Sequence, residues 1–257
     1  VEEMNSAEIQ AIYVMWLRHV KRFVRARSRL IANVIQPFFF LAFLGMGLRP
    51  INFPGLPSGL VYLDFLTPGM IAMSVIFSSM FAGLSVIWDR QFGFLKETLI
   101  APVSRISIVI GKTLGGSTVA LIQGIVILIA GMLLGARISI PGTIPAFIFM
   151  LLIAFFAVGL GLSIAVTLKD PDVFSLIMNL LMMPLIFLST AFFPLESVSD
   201  WLRTIMYLNP LTYLVDGLRG FLIGSSSIPL VVDLSVALGL CASTTVLGAY
   251  MFSRSEA

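Results

Sequence analysis

Six stretches of this chain, 30–48, 65–88, 113–136, 138–168, 173–195 and 234–253, contain no aspartate, glutamate, lysine or arginine. Crossing about 30 Å of hydrocarbon takes roughly 20 apolar residues of α-helix, and a charge at mid-bilayer costs several kcal/mol. Recurrent runs of this length therefore predict an all-α integral membrane protein. Hydrophobic residues make up 58% of the 257 and charged residues only 11%, less than half the share usual in a soluble domain. The spans are expected at 30–48, 65–88, 107–134, 141–168, 173–193 and 228–252, with Lys112 snorkelling at the start of the third and Asp233 held at the opposite surface. No polar stretch is long enough for a separate soluble domain, so 1–257 reads as a single membrane domain. The acidic Glu2, Glu3 and Glu8 come first, unlike a cleavable signal peptide, and the first span is expected to stay in the mature protein.

Six spans place both termini on one side. Twelve basic residues then fall on that side: Arg18, Lys21, Arg22, Arg25, Arg27, Arg29, Arg90, Lys96, Arg105, Lys112, Lys169 and Arg254. Only Arg49, Arg137, Arg203 and Arg219 fall opposite. By the positive-inside rule both termini are expected in the cytosol, in a multi-pass protein of the cell membrane. The net charge of +3 follows from this arrangement, and nucleic acid is not an expected partner. The apolar pieces 204–215 and 220–232 are too short to span and are separated by Asp216 and Arg219, which reads as two re-entrant half-helices within 194–227.

Before the first span, Ile9, Ile12, Tyr13, Trp16, Val20, Phe23 and Val24 share one helical face, and Arg18, Arg22, Arg25 and Arg29 lie opposite. This predicts an interfacial helix over 5–29, with Trp16 among lipid headgroups and the arginines against lipid phosphates. The alternative is a plain basic anchor. His19, the only histidine, has no acidic or imidazole partner nearby in sequence and reads as a surface residue. Cys241 is the only cysteine, so no intramolecular disulfide can form, and no metal site is expected. Asp89 to Arg105 mixes charges with Phe92, Leu95 and Leu99 at helical spacing, giving a short surface helix ended near Pro102. It suits docking of another protein, or a solvated connector.

Asp89-Arg90, Gly93, Lys96-Glu97, Ala101 to Arg105 and Gly111-Lys112 together resemble the signature of the ABC-2 type transporter permeases. Asn209 to Arg219 resembles the stretch before the last span in that family, especially in its drug-resistance and lipo-oligosaccharide export branch. The resemblance covers nearly the whole chain. It implies six spans, a basic amphipathic helix before the first, and an extracellular re-entrant pair between the fifth and sixth. It also implies that 89–105 is a coupling loop docking on an ATPase, a role falling to Asp89, Arg90, Gly93, Phe94, Lys96, Glu97, Pro102, Ser104 and Arg105. The expected partners are ABC ATPase subunits, a second copy or a homologous permease, membrane lipids, and a hydrophobic or amphipathic substrate. No cofactor is expected on this chain, ATP and magnesium belonging to the ATPase.

Gly111-Lys112-Thr113 imitates the end of a phosphate-binding P-loop, but the required first glycine is Ile106 and the segment opens a membrane span. Catalysis is thus not expected here. Phe193, Pro194, Asn209, Pro210, Asp216 and Arg219 are candidates for an extracellular gate, though Asp216 and Arg219, three residues apart, equally suit a local ion pair. Pro68 and Pro184 can kink their helices. Gly111 with Gly115, and Gly159 with Ser163, suit close helix packing. A secondary transporter or channel usually carries ionisable residues within its spans, and an integral membrane enzyme needs a cluster of His, Asp, Glu or Cys. The sequence offers neither pattern.

Overall fold

The computed structural model describes residues 2–25, 27–51, 55–57, 59–94 and 103–254. Nine α-helices follow in order among them: α1 (Glu2–Arg25), α2 (Arg27–Phe39), α3 (Tyr62–Gln91), α4 (Arg105–Leu133), α5 (Ile140–Thr167), α6 (Pro171–Phe187), α7 (Asp200–Leu208), α8 (Pro210–Ile223) and α9 (Leu230–Arg254). A π-helical segment, Phe40–Gly45, prolongs α2, and a short 3₁₀ turn, Leu195–Ser197, precedes α7. Among the described residues, four helices are long and apolar enough to cross a membrane: Tyr62–Gln91, Arg105–Leu133, Ile140–Thr167 and Leu230–Phe252. The expected spans at 30–48 and 173–193 correspond to the shorter apolar helices Asn33–Gly45 and Pro171–Phe187.

The helix starts follow from local chemistry. Ser104 Oγ accepts from Ser107 N at 3.1 Å, Ser139 Oγ from Gly142 N at 3.2 Å, Asp170 Oδ1 from Asp172 N at 2.8 Å and Asn209 Oδ1 from Leu211 N at 2.9 Å. Each satisfies an amide left unbonded in a first helical turn. Asp64 accepts from Val61 N at 2.9 Å and from Arg137 N at 2.6 Å, fastening the start of α3 to the α4–α5 connection.

α3 is the central helix, packed against α4 on one side and α5 on another, with α8 and α2 closing around it. Most of its faces are buried, so its apolar residues surround the helix and do not form a stripe. It touches α5 backbone to backbone: a methyl group on Gly83 would overlap the carbonyl of Gly161. α9 lies on the other side of α5, where a methyl on Gly159 would come within 2.6 Å of the Thr244 carbonyl carbon. Ser163 Oγ returns its proton to Gly159 O at 2.8 Å. The close packing expected of Gly159 and Ser163 is thus realised against α9. Outward faces of α6 (Leu176, Leu180, Met183) and α9 (Leu238, Val246, Leu247) are exposed and apolar, as lipid contact requires.

One expectation is corrected. The sequence places a break at Asp216 to Arg219, whereas both lie inside α8, and the break falls at Asn209-Pro210. Proline at the first helical position and asparagine before it start a helix, and the two charges cause no break because each finds partners inside the fold. Asp233, expected at the membrane surface where the last span starts, lies in the first turn of α9; it is fully buried by protein, and its carboxylate oxygens accept no hydrogen bond among the described residues.

Candidate functional site

The chemistry gathers at the two ends of α3. At one end, in its last turn, Asp89 is 4% exposed and collects three cations. Lys112 Nζ of α4 lies 2.6 Å from Oδ2, Arg18 Nη2 of α1 lies 2.9 Å from Oδ1, and Arg22 Nη1 lies 3.8 Å from Oδ1. Lys112 therefore does not snorkel out of the bundle; its ammonium neutralises a buried carboxylate, and Gly111-Lys112-Thr113 holds two helices together where a P-loop would hold phosphate. Arg18 also lies over the Phe94 ring, 3.4 Å from its centroid, and Arg22 over Trp88 at 4.9 Å. Both are cation–π contacts that orient the guanidinium groups.

Glycine spacing on α4 makes this cluster possible. A methyl on Gly111 would come within 2.6 Å of Met15 Cβ, and one on Gly115 within 2.6 Å of His19 Cβ. α1 thus settles onto α4 closely enough for Trp16 Nε1 to donate to Thr118 Oγ1 at 3.0 Å. The face of α1 carrying Ile12, Met15, Trp16 and His19 meets protein, while Ile9, Tyr13 and Val24 stay exposed. Arg18 and Arg22, expected against lipid phosphates, turn inward to Asp89, and Arg25 is exposed. The side chain of Arg29 lies outside the described residues.

His19 is likewise no surface residue. Burial, reinforced by Lys112 and Arg22, lowers its pKa from the usual 6.5 to about 4. The unfolded chain thus takes up this proton at a higher pH than the folded one. His19 costs the fold nothing at pH 7 but destabilises it as pH falls below about 6.5, by at most about 2 kcal/mol at pH 5. A melting-temperature series from pH 7.5 to 5 should show this decline, and His19→Gln should flatten it. An identical slope in the variant would refute the assignment.

Arg90 points the other way, donating to Leu168 O at 3.2 Å and Val166 O at 3.4 Å, where it satisfies the last carbonyls of α5. Gly93 takes a left-handed φ of +76° just after α3. Ser104 caps α4 and Arg105 is its first residue. Lys96, Glu97 and Pro102 of the predicted coupling loop lie outside the described residues.

At the other end of α3, Arg219 of α8 is 2% exposed. It donates to Thr190 O, pairs with Asp216 at 3.5 Å and covers Phe65 of α3 at 3.8 Å. Asp216 accepts from Ser227 N and Ile228 N, each at 2.9 Å, which folds the α8–α9 turn back onto the helix. Asn209 bridges two helices: its Nδ2 donates to Leu185 O (2.9 Å) and Leu188 O (2.8 Å) at the end of α6, while its Oδ1 caps α8. Pro210 starts α8, Pro194 precedes the 3₁₀ turn, and Phe193 is exposed. Asp216 and Arg219 thus form one polar corner with Thr190, and Asn209 separately ties the start of α8 to the end of α6. Sequence reasoning missed Thr190 and Phe65 as Arg219 partners, and the pairing of Asp89 with Lys112 across 23 residues.

The described residues bring no three His, Cys, Asp or Glu side chains together as metal ligands. Residues 10–223 match the model of the ABC-2 type transporter family. The chain belongs to that family. The ycf38 protein of Cyanophora paradoxa, named a transport permease, is 31% identical over 223 residues, covering 85% of this chain and 76% of that protein. That of Porphyra purpurea is 34% identical, with 82% and 73% covered. The inner membrane transport permease YadH of Escherichia coli K12 is 27% identical, with 88% of both chains covered. This chain is therefore an integral membrane transport permease.

Proposed function

We propose that this permease is the membrane subunit of an ATP-binding cassette exporter that moves a hydrophobic or amphipathic substrate, such as a drug, a lipid or a lipid-linked glycan, across the cell membrane. ATP and magnesium are handled by separate ATPase subunits docked on 89–105, and the permease pairs with a second copy or a homologue. Six helices span the bilayer, with 33–45 and 171–187 as the two shorter ones and both termini in the cytosol. The observation that carries this reading is the Asp89 cluster. It joins the end of α3 to α1 and α4 at the first residue of the docking loop, so a push on that loop acts on three helices together.

The test is purification from the native host in mild detergent, followed by mass spectrometry. An ATP-binding subunit should co-purify, and Glu97→Lys or Phe94→Ala should weaken its retention. Absence of any ATPase, together with ATP-independent solute movement by the reconstituted permease, would overturn the reading in favour of a secondary transporter or channel.

A further inference from the structure

Two buried groups near the Arg219 corner have hydrogen-bonding capacity that the corner does not use. Asp233 of α9 is fully buried, and neither carboxylate oxygen accepts a hydrogen bond among the described residues. Arg219 of α8 is 2% exposed, and its Nε–H is equally without an acceptor among them, while its Nη atoms serve Thr190 and Asp216. Buried polar groups are ordinarily bonded, and a carboxylate buried without a donor is costly.

The packing puts these groups in one layer. α8 runs antiparallel to α5: a methyl on Gly142 would overlap the carbonyl of Phe221, and one on Gly217 would overlap the Phe149 ring. α9 runs parallel to α5, with Gly159 against Thr244 and, further along, Ser163 against Gly248. Eleven residues before Gly159 and Thr244, the two helices reach Ile148 and Asp233. Asp233 is therefore level with the Phe149–Gly217 contact, beside which α8 carries Asp216 and Arg219. The α8–α9 hairpin gives the same level. Gly220 lies across from Leu230, and about 5 Å along each helix, at 1.5 Å per residue, come Asp216 and Asp233. Both Asp216 and Arg219 act electrostatically on Asp233.

One guanidinium therefore stands near two carboxylates. Asp216 holds it at 3.5 Å, a loose contact beside the roughly 2.8 Å of a strong charge-assisted bond. Glu196 also attracts Arg219, but it is exposed and has water as a partner. Asp233 has no such alternative, and Arg219 is the one cation that acts on it among the described residues. We infer that Asp216 and Asp233 are alternative partners of Arg219, and that transfer of Arg219 from Asp216 on α8 to Asp233 on α9 unfastens the α8–α9 turn. Asp216 holds that turn through Ser227 N and Ile228 N. Once its counter-ion leaves, the carboxylate must draw on water, and the turn opens. The Phe65 ring of α3, 3.8 Å from the guanidinium, holds Arg219 in its present position. Two such pairings of one arginine make a bistable element. The exchange requires neither an ATPase nor a substrate, so it stands or falls apart from the exporter reading.

Amide hydrogen exchange over 224–228, followed by mass spectrometry on the full chain in detergent, reads the opening of the turn. Asp233→Asn removes the second partner, so Arg219 stays on Asp216 and exchange over 224–228 should slow at least about threefold. Asp233→Leu should do the same with no fall in melting temperature, because the carboxylate bonds nothing in the arrangement described. A residue that merely supports the fold would give the opposite sign. Phe65→Leu, which frees the guanidinium, should speed exchange in the parent but not in the Asp233→Asn background. Slower exchange in both Asp233 variants supports the exchange of partners. Unchanged or faster exchange, failure of both variants to fold, or an equal response to Phe65→Leu in the two backgrounds would overturn it.

Discussion

Replacing Asp89 with asparagine should destabilise the permease by about 3–5 kcal/mol, the usual cost of removing one partner from a buried ion pair. Asparagine keeps the shape and loses the charge, so the Lys112 ammonium, in a side chain 7% exposed, faces an uncompensated desolvation cost. Arg18 and Arg22 are 35% and 42% exposed and can return to water, so Lys112 carries most of the loss. Asp89→Leu combined with Lys112→Met should recover much of the stability, since an apolar pair of similar volume often replaces a buried ion pair at little cost. A double-mutant cycle in melting temperature, read in detergent, checks both statements. A melting temperature for Asp89→Asn equal to that of the parent would refute the hub.

At the opposite end of α3, Arg219→Met should cost about the same, 3–5 kcal/mol, because it strands the fully buried Asp216 carboxylate with backbone donors alone. Arg219→Lys should rescue little. A lysine can reach Asp216, but one ammonium cannot also cover the Phe65 ring and donate to Thr190 O as the planar guanidinium does. The expected local signature is earlier proteolytic cleavage within 224–229, the turn that Asp216 fastens. Full rescue by lysine would show that charge alone matters there.

The sequence makes the membrane class legible because a missing charge in a long run has only one inexpensive explanation. Local spacing makes Asp216 and Arg219 legible as a pair, since three residues bring them to one helix face. It misplaces the helix break beside them, because a charge marks a boundary only where water is its partner, and here the partners are Thr190, Phe65 and the Ser227 amide. Asp89 and Lys112 meet across two helices, and that meeting depends on how closely glycines let α1 and α4 approach, which residue spacing along one helix does not encode. Gly111 and Gly115 announce close packing without saying that the partner is α1. Asp233 reads as a charge at the membrane surface because it opens its helix, and its burial by the rest of the fold is not encoded along that helix.

The glycine contacts along α3 also have a mechanical side. Helices separated by side chains can absorb a push through rotamer changes, as a cushion absorbs it. Where Gly83 meets Gly161, and Gly159 meets Thr244, there is no cushion, so α3, α5 and α9 are joined as stiff rods. The same α3 ends at Asp89 on one side and begins beneath Arg219, at Phe65, on the other. Those two residues are about 36 Å apart along the helix at 1.5 Å per residue. A displacement at one end therefore arrives at the other with little slack, as in a pushrod braced along its length.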